Sequence, residues 1–201
     1  MYNRQNHNRS FTGVLFNQYL HMIISKEEDI ILEIISAKHA EGLLKAVNHN
    51  REHLSSFLPW VKYMQTVDDF SNYIARCEQL NLQEQELNYV IFLKGVIVGR
   101  IGLHDINLQH RNASLGYWIT TDASGKGIIT RCCSMLITYA FNVLALERIE
   151  IRAAFTNLKS RAIPEKLHFT HEGILRKADL VNGVFHDLCV YSILKDEWTG
   201  E

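Results

Sequence analysis

The chain has 201 residues, of which 47% are apolar and 21% are charged; this composition is typical of a globular protein with one buried core. Its 21 basic and 22 acidic residues leave a formal net charge of −1, which excludes a global basic field for nucleic acid or an anionic membrane. The sequence has no apolar run of 18 residues and no signal-peptide layout, and its four cysteines lack the spacing of a metal site or disulfide framework. We therefore expect a cytoplasmic protein with no metal site, no membrane contact and no direct contact with nucleic acid.

The N-terminal segment differs in character from the rest of the chain. Residues 1–21 are rich in Asn, Gln, Arg and His and show no sustained hydrophobic period. We interpret residues 1–21 as a poorly ordered extension, with Met22 as an alternative start. Residues 22–201 are then expected to form a single domain.

The first half of this domain predicts a strand, two helices and a hairpin. Residues 29–36 have the composition of a strand, and residues 37–54 and 67–83 carry helical patterns. Two β-rich runs within residues 87–106 flank Lys94-Gly95, a pair typical of a tight hairpin turn.

The second half alternates strands and helices. Strands are predicted at residues 113–120, 148–155, 170–175 and 187–194, and helices at 127–145 and 160–169. This order predicts an α/β (α+β) sandwich, in which helices cover a single mixed sheet.

A glycine-rich loop, "ASGKGIITRCC" at residues 123–133, joins a predicted strand to the longest predicted helix. The turn at Gly125-Lys126-Gly127 would expose unpaired backbone N–H groups at the positive end of the helix dipole. Glycine allows an anion to approach the backbone closely, and Lys126 adds a positive charge nearby. The loop is thus a candidate pyrophosphate cradle, although a turn that merely begins a helix would have a similar sequence.

Two common phosphate-binding motifs fit this loop poorly. A Walker loop would need glycine at Thr120 and a hydroxyl residue at Gly127. The dinucleotide fingerprint matches Gly125 and Gly127, but Thr130 stands in place of its third glycine. Nucleotide hydrolysis and nicotinamide-dependent redox chemistry are both disfavoured.

The stretch "GYWITTDASGKGIITRCCSMLITYAF", followed by "LERIEIRAAFTNLKSRAIPEKLHFTHEGILR", closely resembles the GNAT superfamily of N-acetyltransferases. Within it the chain resembles the RimJ/RimL branch, which acetylates the N-termini of ribosomal proteins; the likeness runs from about residue 31 to 198 and includes "NREHLSSFLPWV". The resemblance implies a largely antiparallel twisted sheet flanked by helices, acetyl-CoA as donor, and transfer of its acetyl group directly to an amine. Members of this branch are monomers or dimers, so a homodimer is compatible with it.

The resemblance also implies where acetyl-CoA binds. The glycine loop is expected to bind the diphosphate through main-chain N–H groups, although Ser124 stands where the family usually has Gln or Arg. The strand before the loop is expected to splay from its neighbour, so that the pantetheine arm pairs with it as an added strand. The implied cofactor-binding residues are Trp118, Ile119, Gly125, Lys126, Gly127, Ile128, Ile129, Thr130, Asn157 and Ser160.

Two residues are the candidate catalytic groups. Ser160 resembles the family serine that protonates the leaving thiolate, but a serine at this point would also suit the N-cap of a helix. The family often has a glutamate at the position of Ser114, so a carboxylate base is missing there, and His104 is the nearest substitute. Glu150 alternates with Arg148 and Arg152, which favours a charge ladder on the sheet.

The acceptor is less well defined by the sequence. An α-amine with a pKa of about 7.7–8.0 needs less help from a base than a lysine does, and a protein or peptide N-terminus fits the branch. A cluster of residues in the N-terminal half is expected to form the groove rim: His49, Asn50, Arg51, His53 and Trp60. A small-molecule amine as acceptor, or a non-catalytic acyl-CoA sensor, are the alternatives.

One departure from the family pattern concerns the end of the last predicted helix. His168 stands where the family usually has glycine, at a position that takes a positive φ. We interpret it as a structural substitute.

Overall fold

A computed structural model describes residues 22–25 and 30–200 of the chain. The predicted N-terminal extension, residues 1–21, lies outside the described residues. The described residues form eight strands: β1 (Met22–Ser25), β2 (Ile30–Ile34), β3 (Leu87–Leu93), β4 (Val96–Asn107), β5 (Asn112–Ile119), β6 (Arg148–Ala154), β7 (Thr170–Val181) and β8 (Val184–Leu194). Five α-helices accompany them: α1 (Ala40–His49), α2 (Arg51–Ser55), α3 (Val67–Leu82), α4 (Ile128–Asn142) and α5 (Leu158–Lys166).

The strands form one mixed sheet in the order β1-β2-β3-β4-β5-β6-β8-β7. Every neighbouring pair is antiparallel except β5 and β6, which run parallel. The predicted fold class, a largely antiparallel mixed sheet flanked by helices, is confirmed. No helix in the described part of the chain is long and apolar enough to cross a membrane.

Alternation along the strands divides the core into two layers. On one face of the sheet α4 packs through Cys132, Cys133 and Leu136 against apolar residues of β3–β6 and β8. On the other face α1 and α3 bury a smaller cluster that includes Phe70, Ile74 and Trp118. Side chains of successive strand residues point to opposite faces, so a single strand such as β5 contributes to both clusters.

The hairpin turns follow local sequence rules. Lys94 and Gly95 both adopt positive φ, 51° and 77°, as the predicted tight turn between β3 and β4 requires. Asn182 and Gly183 have the same combination, 50° and 81°, and join β7 to β8. Because of this Asn-Gly turn, β7 continues past the predicted end at residue 175, and β8 begins before the predicted start at residue 187.

The prediction of one continuous helix at residues 37–54 was wrong. A 3-10 turn precedes α1, and the helix breaks at Asn50, whose φ of −126° is not helical. The Asn50 amide nitrogen donates to the Ala46 carbonyl, and its side-chain oxygen accepts from the Thr121 N–H 2.8 Å away. The break therefore ties the N-terminal helices to the segment that precedes the glycine loop.

The boundaries of the last two helices also differ from the prediction. Helix α4 ends at Asn142, before the predicted residue 145, while α5 begins earlier than predicted. Asn157 caps α5, because its side chain accepts from the Ser160 N–H. The prediction that Ser160 could cap this helix was therefore wrong. His168 has a φ of 60°, which confirms its place in the conformation usually taken by glycine.

Candidate active site

The sheet opens between β5 and β6, at the only parallel pair among its described strands. Pairing between the two strands is limited to residues 112–114 with 148–150. Beyond Ser114 the strands separate, and a cleft of about 740 Å³ lies between them, lined by residues 115–119 of one strand and 151–154 of the other. The splay predicted for the strand before the glycine loop is confirmed.

Strand β5 offers main-chain groups to this cleft. The Thr120 N–H donates to the Val98 carbonyl on β4, 2.7 Å away. Since the main-chain groups of successive residues point to alternate sides of a strand, the even-numbered residues face β4, and Tyr117 and Ile119 face the opening. Ile119 is thus placed as predicted, whereas Trp118 has its main chain directed to β4 and borders the cleft with its side chain.

The glycine loop closes one end of the cleft. Gly125 and Gly127 have φ of 77° and 75°, and Gly127 is the N-cap of α4 with no capping side chain. Within the part of the chain that the structure describes, the N–H groups of residues 125–130 have no acceptor. A Cβ at Gly125 would meet no atom within 4 Å, so no other residue packs against the loop at that position. An uncapped helix N-terminus of this kind favours an anion.

Lys126 is the one predicted cofactor-binding residue that does not line the cleft. Its carbonyl accepts from Arg131 Nη2 at 3.0 Å, which draws that guanidinium under the loop. Arg131 also approaches Gly127, where an added Cβ would lie 3.3 Å from Nη1. The Arg131 guanidinium therefore lies beside the glycine loop, and neither Lys126 nor Arg131 is part of the cleft lining.

The opposite wall of the cleft carries Asn157 and Ser160. The Ser160 N–H donates to Asn157 Oδ1 at 3.1 Å, and this bond leaves the Asn157 NH₂ group as a donor. The Ser160 hydroxyl has no hydrogen-bond partner among the described residues, and Ser160 is part of the cleft lining. This arrangement frees the hydroxyl for chemistry, since helix capping is performed by another residue.

Tyr117 makes a contact with α5 that the sequence did not predict. Its hydroxyl donates to the Ser160 carbonyl at 3.0 Å. Pro164 lies four residues after Ser160 and has no N–H, so that carbonyl lacks its usual helical donor. Burial raises the pKa of Tyr117 well above its ordinary value, so the phenol stays protonated and keeps this hydrogen bond.

His104 lies on β4 at the inner part of the cleft. Its Nδ1 is 3.5 Å from Glu86 Oε2, and its Nε2 lies over Gly116, where an added Cβ would be 3.2 Å away. Burial pushes the pKa of Glu86 upward, but hydrogen bonds from His104 and Asn88 outweigh it and leave the pKa lowered. The carboxylate is therefore ionised beside the ring, an arrangement that directs Nε2 toward the cleft.

The predicted groove rim is only partly found at the cleft. His53 and Trp60 line it, and Trp60 packs on Trp118 with ring centroids 6.1 Å apart. Arg51 instead donates to the carbonyls of Val61 and Met64, so its role is to hold the segment after α2. His49 bonds to the Lys45 carbonyl of its own helix.

The charge ladder predicted on β6 is confirmed. Glu150 accepts from Arg148 at 2.9 Å and from Arg152 at 2.6 Å. Its carboxylate is fully engaged by these two guanidinium groups and is not part of the cleft lining. Within the described ranges, 22–25 and 30–200, no cluster of three metal-ligating side chains occurs.

The site residues thus converge on one cleft with distinct ends. Open N–H groups stand at one end, the free edge of β5 runs along it, and a serine and a histidine face it from different walls. Its volume of about 740 Å³ lies within the range of cofactor sites. The residues present fit an extended ligand with a diphosphate group and a peptide-like arm.

Comparison with known proteins agrees with this geometry. Residues 29–170 match the family of the acetyltransferase (GNAT) domain. The chain is 39% identical to YdaF of Bacillus subtilis (strain 168), named for a presumed ribosomal N-acetyltransferase activity, over 87% of this chain and 96% of that protein.

Two solved structures have the same fold. The microcin C7 self-immunity acetyltransferase MccE, in complex with acetyl-CoA and AMP, is 30% identical with a TM-score of 0.81, over 84% of this chain and 93% of that one. RimL, the ribosomal L7/L12 α-N-protein acetyltransferase in complex with coenzyme A, is 24% identical with a TM-score of 0.83, over 87% and 98% of the two chains.

The chain belongs to the acetyltransferase (GNAT) family, because the family match covers most of its length. Within that family it is an acetyl-CoA-dependent N-acetyltransferase. Nicotinamide-dependent redox chemistry and nucleotide hydrolysis, both disfavoured by the sequence, are thereby set aside.

Proposed function

We propose that this chain acetylates the α-amine of a protein or peptide, with acetyl-CoA as the donor. The observation that carries the proposal is the cleft between β5 and β6, with open N–H groups at residues 125–130. The relative YdaF, similar over nearly its whole length, is named for a presumed ribosomal N-acetyltransferase activity. A ribosomal-protein N-terminus is therefore the acceptor that the proposal favours.

The residues of the cleft have separate roles in binding the donor. The N–H groups of residues 125–130 would hold the diphosphate, and the charges of Lys126 and Arg131 add to the local positive field. Tyr117 and Ile119 would pair with the amide groups of the pantetheine arm, and Asn157 would donate to the same arm from the opposite wall. Acetyl-CoA supplies the acetyl group as a thioester.

Two residues would move protons during transfer. As the acceptor nitrogen bonds to the acetyl carbon and the carbon–sulfur bond breaks, the Ser160 hydroxyl donates its proton to the departing sulfur. His104 Nε2, with Nδ1 beside the ionised Glu86, accepts the proton that the amine releases. The proton lost at nitrogen balances the one gained at sulfur.

The experiment is an assay of thiol release from acetyl-CoA with a panel of peptides and small amines, including polyamines. The proposal predicts release with peptide α-amines, and a fall in kcat of at least tenfold for Ser160→Ala with unchanged affinity for coenzyme A. The matched control is Ser55→Ala, a partly exposed serine on α2 outside the cleft lining, which should keep full activity. Binding without turnover across the whole panel would instead identify an acyl-CoA sensor and contradict the proposal.

A further inference from the structure

A second cavity, of about 290 Å³, lies beside the cleft between the sheet and helix α3. Four residues line both spaces: Trp60, Arg100, His104 and Trp118. The side cavity therefore adjoins the cleft at His104, the residue proposed to receive the proton of the acceptor amine. A group attached next to that amine would lie at the boundary between the two spaces.

The walls of the side cavity are mainly apolar and aromatic. Eight of its lining residues are of this kind: Leu43, Trp60, Met64, Phe70, Tyr73, Cys77, Leu80 and Trp118. Burial raises the pKa of both Tyr73 and Cys77, so these two side chains are neutral. The surface that they offer suits an uncharged ligand group.

Glu86, His104 and Arg100 contact neighbouring side chains, although the buried Arg100 Nε has no hydrogen-bond partner among the described residues. Glu86 contacts His104 and accepts from Asn88, while Arg100 donates to the Asn88 side chain and lies over the Tyr73 ring, 5.2 Å from its centroid. A basic group in the cavity would meet two guanidinium groups, Arg100 and Arg76, against the single carboxylate of Glu86, and this balance disfavours a positive charge there.

The size of the cavity argues against a small occupant. Its volume of about 290 Å³ is many times the minimum that holds one water molecule. A side chain of one or two heavy atoms would leave most of this apolar space filled with water. A side chain of four or more heavy atoms would displace that water and bury apolar area against the aromatic wall.

We infer that the side cavity binds the side chain of the acceptor's first residue and selects a large, uncharged one, such as methionine or leucine. This inference rests on the proposed function, because it needs the acceptor amine at His104. It adds a specificity pocket that is separate from the space for acetyl-CoA.

The test compares kcat/KM for peptides that differ only in the first residue: Ser, Ala, Met, Leu, Asp and Lys. Methionine and leucine peptides are expected to exceed serine and alanine by at least tenfold, as the burial of extra methylene groups allows, and the Lys peptide should be the poorest. Equal or better turnover of the serine and alanine peptides overturns the specificity pocket and leaves the proposed function intact. No turnover of any peptide overturns both.

Two matched variants test whether the preference for a large first residue arises in the side cavity. Leu80→Trp fills the cavity from α3, whereas Leu82→Trp places the same side chain at an 83% exposed position on the same helix. Leu80→Trp should lower kcat/KM for the methionine peptide at least tenfold and leave that for the serine peptide within about threefold; Leu82→Trp should change neither. An equal loss for both peptides in Leu80→Trp contradicts the inference, and melting temperatures show whether both variants fold.

Discussion

His39 is a buried titratable residue, only 3% exposed, beneath the N-terminal helices. Its Nδ1 accepts a hydrogen bond from the Ser36 N–H at 3.0 Å, and its Nε2 lies 3.7 Å from Glu33. Burial lowers the pKa of His39 and outweighs the opposing charge of Glu33, while Lys38 lowers the pKa further. The ring is therefore neutral in the folded protein, and its protonation would break the bond from Ser36.

Stability should consequently fall as the pH drops from 7 to 5. A histidine with a lowered folded pKa is protonated first in the unfolded chain, so its contribution is complete above the unfolded value of about 6.5 and is lost below it. His39→Gln keeps an acceptor for Ser36 without titrating, and its melting temperature should fall less steeply over this range. Each kcal/mol of change in the free energy of unfolding shifts the melting temperature by about 2–4 °C. Parallel pH profiles for the two proteins would contradict this account of His39.

At the scale of elements, strand β5 and helix α5 are joined by one hydrogen bond that depends on a proline. Pro164 removes the N–H that would bond to the Ser160 carbonyl, and the Tyr117 hydroxyl takes its place. The bond holds the first turn of α5, which carries Ser160, against the strand that borders the cleft. Tyr117 is thus a positioning residue for the proposed acid.

Removing and restoring this bond gives a direct test. Tyr117→Phe leaves the carbonyl without a donor, which we expect to destabilise the protein by about 1–3 kcal/mol and to lower kcat several-fold with little change in KM. Pro164→Ala supplies a backbone N–H, so Tyr117→Phe should have a smaller effect in that background. Denaturant unfolding and steady-state kinetics of the two single variants and the double variant measure the coupling. Strictly additive effects would exclude the role given to Tyr117.

At the scale of the whole molecule, the sequence predicted what depends on local chemistry. The Lys94-Gly95 turn, the glycine loop and the sequence of strands and helices follow from backbone preferences and hydrophobic period. Two contacts could not be predicted from the sequence. The Glu86–His104 contact depends on strand register, and the Tyr117–Ser160 contact joins residues that are 43 positions apart. The missing N–H of Pro164 was a signal that the Ser160 carbonyl needs another donor, but it does not identify that donor.

The whole arrangement places one requirement on the cleft: the main-chain N–H groups that follow β5 must bind the diphosphate of acetyl-CoA. Gly125 and Gly95 provide a matched pair for testing it, since both have a φ of 77° and an added Cβ at either would meet no atom within 4 Å. Valine is strained at this φ in either turn, but only residue 125 lines the cleft.

The most direct measurement is therefore the calorimetric Kd of coenzyme A for the unaltered protein, Gly125→Val and Gly95→Val. The account predicts an affinity at least tenfold weaker for Gly125→Val and unchanged for Gly95→Val. Equal affinities for all three folded proteins would contradict it.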